Sequence, residues 1–180
     1  MSESSVLLLH GSYRKKGASS RMLSAVNVSI SKLKPTSEII ELRLANYEIN
    51  HCRGCTVCGY NGDCVIKDDM KIILDHVLKS DLICIATPNY YYSVSGIVKD
   101  FIDRNVSRYE SKEIRGKKVI GIISQDSEGA EFVEQTLKNY SKLSHMNYLG
   151  SIIMNEKEVL GLEYEELEKI CLEKIKALLS

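Results

Sequence analysis

Short apolar runs alternate with helical patterns from one end of the chain to the other. The runs are mostly continuous, which is typical of strands buried on both faces of a sheet. They lie at residues 6–9, 39–42, 82–85, 119–123 and 152–154. Between them, apolar residues recur at helical spacing, and a shorter helix is predicted over residues 95–104. The longer helical stripes are Leu23, Val26, Ile30 and Leu33; Met70, Ile73, Leu74, Val77 and Leu78; Phe132, Val133, Thr136, Leu137 and Tyr140; and Leu167, Ile170, Cys171, Ile175 and Leu178.

This alternation predicts one α/β domain over residues 1–180. Its five strands form a parallel sheet with helices on both faces, a three-layer sandwich, and we expect the strand order 2-1-3-4-5. In such sheets ligands bind at the carboxyl ends of the strands, beside the first strand, where the strand order reverses. The loops after strands 1, 3 and 4 are therefore the places to search for a site.

Charge and hydropathy exclude several classes of partner. Lysine plus arginine and aspartate plus glutamate both number 24, so no excess charge favours nucleic acid or an anionic membrane. The first residues lack the basic start of a signal peptide, and no apolar run approaches the roughly 18 residues that a membrane span needs. We expect a cytoplasmic protein whose thiols are reduced.

The loop after strand 1, residues 11–20, carries the groups that bind a phosphate monoester. Ser12, Ser19 and Ser20 supply hydroxyls, Arg14 supplies a positive charge, and the following helix supplies backbone N–H groups. The loop matches neither a Walker loop nor G-x-G-x-x-G. The alternative is a serine-rich turn in which Ser19 or Ser20 only caps the helix.

The loops after strands 3 and 4 carry aromatic and polar side chains. Three consecutive tyrosines in residues 87–96 cannot all be buried, so at least one is expected to present its ring at the mouth of the sheet, where a flat heteroaromatic ligand could use it. The alternative is a tyrosine-rich surface or a dimer contact. The loop that begins at Ser124 can donate hydrogen bonds to the edge of such a ring. Together the three loops enclose one crevice, an arrangement that suits FMN.

Four cysteines lie within 13 residues of the segment 45–67, which has no long periodic pattern and is predicted to be a loop insertion. Their spacing is C-x2-C-x2-C-x5-C, too compact for four unrelated core thiols. Structural zinc normally uses two separated pairs of ligands, whereas three cysteines at this spacing are similar to the start of a ferredoxin motif. We favour a [4Fe–4S] cluster held by Cys52, Cys55, Cys58 and Cys64 over a loop without a cluster, with zinc third. Cys84 and Cys171 lie in apolar patterns and are expected in the core.

Taken as a set, these motifs resemble the NAD(P)H-dependent FMN reductases and iron–sulfur flavoproteins of the flavodoxin-like superfamily. The resemblance covers roughly the first 125 residues. It rests on Gly11-Ser12-x-Arg14 with Ser19-Ser20, on Cys52-x-x-Cys55-x-x-Cys58 followed by Gly62-x-Cys64-x-x-x-Asp68-Asp69-Met70, on Thr87-Pro88-x-Tyr90, and on Ser95-Gly96-x-x-Lys99-x-Phe101-x-Asp103-Arg104.

The resemblance implies a flavodoxin-like fold and a set of FMN contacts. It implies that Ser12, Arg14, Ser19 and Ser20 bind the FMN phosphate. It implies that the loop after strand 3 lies along the flavin ring through Pro88, Asn89, Tyr90 and Tyr91. Two positions depart from the family: Tyr13 replaces a common proline, and the loop at Ser124 lacks a glycine-rich sequence.

Three functions fit these motifs. The first is an FMN-dependent oxidoreductase that relays electrons between the cluster and FMN, exchanging them with a small molecule or a ferredoxin-like protein. The second is an NAD(P)H-dependent FMN or quinone reductase without a cluster. The third is a non-catalytic flavodoxin-like carrier or zinc-stiffened binding module. No acid/base pair or nucleophile is predicted, and the first function needs none. We expect a homodimer or homotetramer.

Overall fold

Five parallel strands form the centre of the molecule, and the computed structural model describes them within residues 4–180, with every side chain in that range except those of residues 60 and 61. The strands are β1 (Ser5–His10), β2 (Glu38–Arg43), β3 (Leu82–Pro88), β4 (Lys118–Gln125) and β5 (Asn147–Asn155). Their order is β2-β1-β3-β4-β5, so the predicted topology is confirmed.

Seven α-helices are present among the described residues. They are α1 (Ala18–Leu33), α2 (Val57–Asn61), α3 (Met70–Lys79), α4 (Gly96–Arg104), α5 (Ala130–Leu143), α6 (Glu156–Gly161) and α7 (Tyr164–Leu179). None of these described helices combines the length and the apolar character needed to cross a bilayer.

Two cores lie on opposite faces of the sheet because successive strand residues point in opposite directions. Leu7 and Leu9 of β1 point into a core that α3, α4 and α5 cover. Val6 and Leu8 point into a core that α1, α6 and α7 cover. The central strands are therefore apolar on both faces, which explains their continuous apolar sequence. Cys84 and Cys171 are buried in the second core, as predicted.

The helices depart from the sequence predictions at a few positions. Val133, Leu137 and Tyr140 of α5 are buried as predicted, but Phe132, expected on the same stripe, is exposed, and Thr136 is only half-buried. Phe132 lies outside the core because its ring packs against Tyr92 of the loop after β3. The short helix α6 was not predicted, since six residues are too few to show a helical period.

Gly121 makes room for a close contact between β4 and its neighbours. A Cβ atom at this position would lie 2.3 Å from Ser151 Oγ and 2.9 Å from Leu137 Cδ1. Replacing Gly121 with alanine should therefore lower the free energy of unfolding by about 1 to 3 kcal/mol, because the packed side chains of Ser151 and Leu137 must move. Urea unfolding followed by circular dichroism measures this change.

Gly161 is the matched control for this substitution. It ends α6, and a Cβ atom there would meet nothing within 4 Å. Gly161→Ala should change the free energy of unfolding by less than about 0.5 kcal/mol. Equal effects of the two substitutions would contradict the packing role of Gly121.

Candidate functional site

The loops after β1, β3 and β4 meet at the carboxyl edge of the sheet and are tied together. Gly11 N donates to Ala86 O at 2.8 Å, and Ser95 Oγ donates to Gly11 O at 2.5 Å. A Cβ atom at Gly11 would lie only 2.5 Å from that Ala86 oxygen, so the close approach requires glycine. The third loop joins the second through Asn89 Nδ2, which donates to Glu128 O at 2.8 Å. The three loops predicted from sequence therefore surround one region of this edge, hereafter the crevice.

The beginning of α1 offers free backbone donors to an anion. The residue before the helix is Gly17, no side chain caps the helix, and its first turn contains no acidic residue. The side chains of Ser12, Ser19 and Ser20 are buried around this end. Ser19 and Ser20 lie inside the first turn, so the alternative in which either residue is only the N-cap is wrong. Open N–H groups, hydroxyls and the positive end of the helix dipole suit a phosphate.

Two arginines lie beside this loop, and only one of them was predicted. Arg14 is half exposed, and its two terminal guanidinium nitrogens donate to the carboxylate of Glu156, at 2.7 and 3.2 Å. Its assignment to the phosphate remains a prediction. Arg43, at the end of β2, donates to Ser12 O at 3.3 Å and to Ser20 Oγ at 3.2 Å, so it supports the loop from behind. Its position at a strand end next to β1 was the sequence signal that could have identified it.

The aromatic loop makes a tight hairpin turn with tyrosine at both central positions. Tyr91 and Tyr92 have φ values of 54° and 62°, and Tyr90 and Ser93 exchange two backbone hydrogen bonds. This left-handed conformation costs about 1 to 2 kcal/mol for each side-chain-bearing residue. Tyr92 is held by Phe132, whose ring packs edge-on at a centroid distance of 5.7 Å. Tyr91 is fully exposed.

The inner wall of the crevice contains polar atoms that lack a partner. Ser124 Oγ and Asn89 Oδ1 are buried and form no hydrogen bond within the described part of the chain. Both residues belong to the predicted flavin set, and they lie at neighbouring strand ends, with Asn89 N bound to Ser124 O at 2.7 Å. Unpartnered buried groups are rare and require an explanation. A ring with polar edge atoms, such as a flavin, would satisfy them.

The cysteine segment, predicted to be a loop, contains the short helix α2, and its two ends are joined. Asn50 N donates to Asp68 Oδ2 at 2.9 Å, and one step further out Asp69 N donates to Glu48 O at 3.0 Å. Arg104, the last residue of α4, closes this neck by donating to Asn50 O at 2.7 Å and to both Asp68 oxygens at 2.6 and 3.0 Å. Asp68 also accepts from the N–H of Met70, the first residue of α3.

The Asp68–Arg104 ion pair is buried, with both side chains at most 1% exposed. Desolvation raises the pKa of Asp68, but hydrogen bonds from Arg104 and from the backbone of Asn50 and Met70 outweigh it and lower the pKa to about 2. The two-pronged geometry is what a buried carboxylate and guanidinium need to offset their desolvation. The pair therefore fixes the two ends of the cysteine segment to α4.

All four clustered cysteines line one cavity of about 720 Å³. Its opposite wall is largely apolar and comes from residues that follow α4 and end α5, including Val106, Tyr109 and Leu143. Cys52 and Cys55 are exposed, whereas Cys58 and Cys64 are half-buried. Within the described residues, no three histidine, cysteine or acidic side chains are gathered closely enough to hold a metal ion. The structure thus brings the four thiols to one cavity but not to one point.

Helix α4 connects the crevice with this cavity. Before its first turn, Ser95 N donates to Thr87 Oγ1 at 3.0 Å, and Ser95 Oγ binds Gly11. At its last residue, Arg104 holds the neck of the cysteine segment. The helix has nine residues, so the two sites are separated by about 13 Å along its axis.

Comparison with known proteins gives concordant matches. The sequence profile of a family described as NADPH-dependent FMN reductase matches residues 4–159. An iron-sulfur flavoprotein of Archaeoglobus fulgidus is 33% identical over 139 residues, which cover 76% of this chain and 67% of that protein. A second iron-sulfur flavoprotein of that organism is 35% identical over 108 residues, 59% of this chain and 48% of that protein. The chain thus spans between about half and two thirds of these relatives.

Among solved structures, a flavodoxin from the domain Archaea has a similar fold. The TM-score is 0.58 at 12% identity, and the match covers 98% of this chain and 99% of that one. The sheet order and this match establish a flavodoxin-like fold.

Removing the charge of Asp68 should destabilise the protein in a pH-dependent way. Asp68→Asn leaves Arg104 buried without a counter-charge, which should lower the free energy of unfolding by about 3 to 5 kcal/mol at pH 7. The folded pKa of Asp68, about 2, lies below its ordinary 3.8, so its contribution is complete above about pH 4 and is lost as the pH falls toward 2. The difference in the free energy of unfolding between wild type and variant should be about 1 kcal/mol smaller at pH 3 than at pH 7. Urea unfolding at pH 7, 5 and 3 measures it.

Asp103→Asn is the control for charge alone. Asp103 pairs with Lys99 on the exposed side of α4, where both side chains are about half exposed. Its substitution should change stability by less than about 1 kcal/mol. A difference in the free energy of unfolding between wild type and Asp68→Asn that stays constant from pH 7 to pH 3 would contradict the role of the buried pair.

Proposed function

The chain belongs to the NADPH-dependent FMN reductase family and is a flavin-dependent oxidoreductase, and on that premise we propose that it relays electrons between FMN and a [4Fe–4S] cluster. In this proposal Cys52, Cys55, Cys58 and Cys64 hold the cluster. The observation that carries it is the common cavity of these four cysteines, at one end of a helix whose other end lies in the FMN crevice.

The residues of the crevice fit FMN. The phosphate would bind to the open beginning of α1 and to the hydroxyls of Ser12, Ser19 and Ser20, with Arg14 as a nearby cation. The ring would lie against the aromatic loop, where Pro88, Asn89, Tyr90 and Tyr91 are the proposed contacts. Ser124 Oγ and Asn89 Oδ1 are the buried atoms that a ring edge would satisfy. Bound FMN supplies the exchange between two-electron and one-electron partners.

The cysteine cavity fits an iron–sulfur cluster by the chemistry of its donors. Four thiolates are the usual ligands of a [4Fe–4S] cluster, and the apolar wall would limit the access of water. Two glycines of the segment, Gly54 and Gly62, have φ values of 62° and 72°, which allows the loop to turn between its cysteines. The similarity to iron-sulfur flavoproteins supports this assignment. Bound in this way, a cluster supplies one-electron exchange.

The protein itself has three tasks in such a relay. It holds the phosphate at α1, orients the ring with the loops after β3 and β4, and fixes the cysteine segment to α4 through Asp68 and Arg104. Each task is one of position, because the electron chemistry resides in the bound groups. None requires an acid, a base or a nucleophile from the chain.

A second candidate is an NAD(P)H-dependent FMN or quinone reductase that lacks the cluster. The observation that favours it is that no three of the described thiols or other ligand side chains are gathered for a metal ion. The description of the matching family also names NADPH as reductant. In this reading the cysteines only shape the loop.

Metal analysis and the visible spectrum of protein purified without air separate these functions. The relay predicts bound flavin together with iron and sulfide near four per chain, and loss of iron in a variant with Cys58→Ser. Yellow protein without iron, with steady NADPH oxidation, would support the reductase. Zinc without flavin would instead support a binding module and contradict both.

A charge placed at the start of α1 should weaken FMN binding selectively. Ser19→Asp would put a carboxylate beside the proposed phosphate position, so like-charge repulsion should lower FMN affinity at least about tenfold, or about 1.4 kcal/mol. Riboflavin lacks the phosphate and should bind with unchanged affinity. Flavin-depleted protein titrated with each ligand, followed by flavin fluorescence, measures both constants.

Ser31→Asp is the matched control, because Ser31 is exposed in the last turn of the same helix. It adds the same charge away from the crevice and should leave both affinities unchanged. An equal loss of FMN and riboflavin affinity in Ser19→Asp would mean that the phosphate does not bind there.

A further inference from the structure

Unpartnered buried polar atoms concentrate in the segment that follows α4. Among the described residues seven such side-chain atoms occur, and four of them lie between residues 104 and 111. These four are Arg104 Nε, Asn105 Oδ1, Arg108 Nε and Ser111 Oγ. Native structures leave few buried polar atoms without partners, so a cluster of them beside a cavity indicates that a group belongs there.

Arg104 has the largest side chain of this group and is almost completely buried, at 2% exposure. Its two terminal nitrogens are used by Asp68 and by the backbone oxygen of Asn50. Those bonds close the neck of the cysteine segment. The Nε–H donor has no acceptor among the described residues. Closing the neck requires only the two terminal nitrogens, so it does not explain why the Nε–H is also buried.

Arg104 and Cys64 line the same two cavities. One is the cavity of about 720 Å³ that contains the other three cysteines, and the other is an adjoining cavity of about 390 Å³. The unpartnered Nε–H of Arg104 is therefore a buried donor on a side chain that shares both cavity walls with Cys64, the one clustered cysteine that lines both.

We propose that Arg104 is a positioning residue for the metal centre, with its Nε–H donating to the sulfur of Cys64 while its terminal nitrogens hold the neck of the loop. The inference rests on the proposed cluster. A donor at a ligating sulfur orients that ligand and stabilises the more negative, reduced state of the centre, which raises its reduction potential. The planar, three-sided donor pattern of arginine suits this double role, and lysine lacks it.

Nuclear magnetic resonance of the full chain in its metal-free form tests the contact itself. The Arg104 Nε–H resonance, assigned through its own backbone, should shift in Cys64→Ala and exchange with water at least tenfold faster, because its acceptor is gone. Cys52→Ala, which removes an exposed thiol of the same motif, should leave the resonance in place. A resonance unaffected by Cys64→Ala would overturn the proposal, whether or not the protein binds iron.

The reduction potential of the reconstituted centre tests the consequence. Arg104→Lys keeps the positive charge but removes the Nε–H, so the potential should fall by the equivalent of about tenfold, or about 59 mV for one electron. Asp68→Asn damages the same neck but removes a negative charge, so the potential should rise. If Arg104 had a purely structural role, the reduction potential would change in the same direction in both variants. That result would overturn the proposal.

The two measurements also separate this inference from the proposed function. Wild-type protein that binds no iron after reconstitution would refute the cluster, and the resonance experiment would still decide on the Arg104–Cys64 contact. Where a variant cannot hold iron, the resonance experiment on the metal-free protein still tests the Arg104–Cys64 contact. A cluster that forms with an Arg104 resonance insensitive to Cys64 would leave the proposed function intact and refute the role of Arg104.

Discussion

The parallel direction of all five strands determines where every chemically active loop of this chain lies. Parallel strands must be connected by crossovers, so each strand ends at the same edge, and helices cover both faces. The hydroxyls after β1, the tyrosines after β3 and the polar loop after β4 are far apart in sequence, but they meet at this edge. The buried faces supply the stability that allows this edge to carry polar and strained groups.

Strain and unsatisfied polarity are concentrated at this edge. Tyr91 and Tyr92 occupy left-handed backbone positions that usually take glycine or asparagine, and Ser124 and Asn89 bury atoms without partners. Each feature costs stability in the chain alone. Their grouping around one crevice is typical of a site whose ligand supplies the missing interactions.

Helix α4 joins the crevice to the cysteine segment. Ser95 at its beginning holds the loop at Gly11, and Arg104 at its end holds both ends of the cysteine segment. The cysteine segment is thus fixed at its neck by a buried ion pair. Phe101, fully buried in the core, anchors the helix between these two ends.

The sequence by itself determined the features that local patterns encode. The strands, their order, the burial of Cys84 and Cys171 and the three loops of the crevice follow from periodicity and from the geometry of parallel sheets, and the spacing of four cysteines shows that a metal centre could be held. The burial of Phe132 in α5 was mispredicted, because its ring packs against Tyr92 of a distant loop, a contact that no helical period shows. Only the tertiary structure decided that Arg14 binds Glu156, that Arg43 supports Ser20, and that Arg104 reaches Asp68 and the neighbourhood of Cys64. These partners are 23 to 142 residues apart in the chain, and no local period relates them. They meet because the packing of helices on the sheet brings them together.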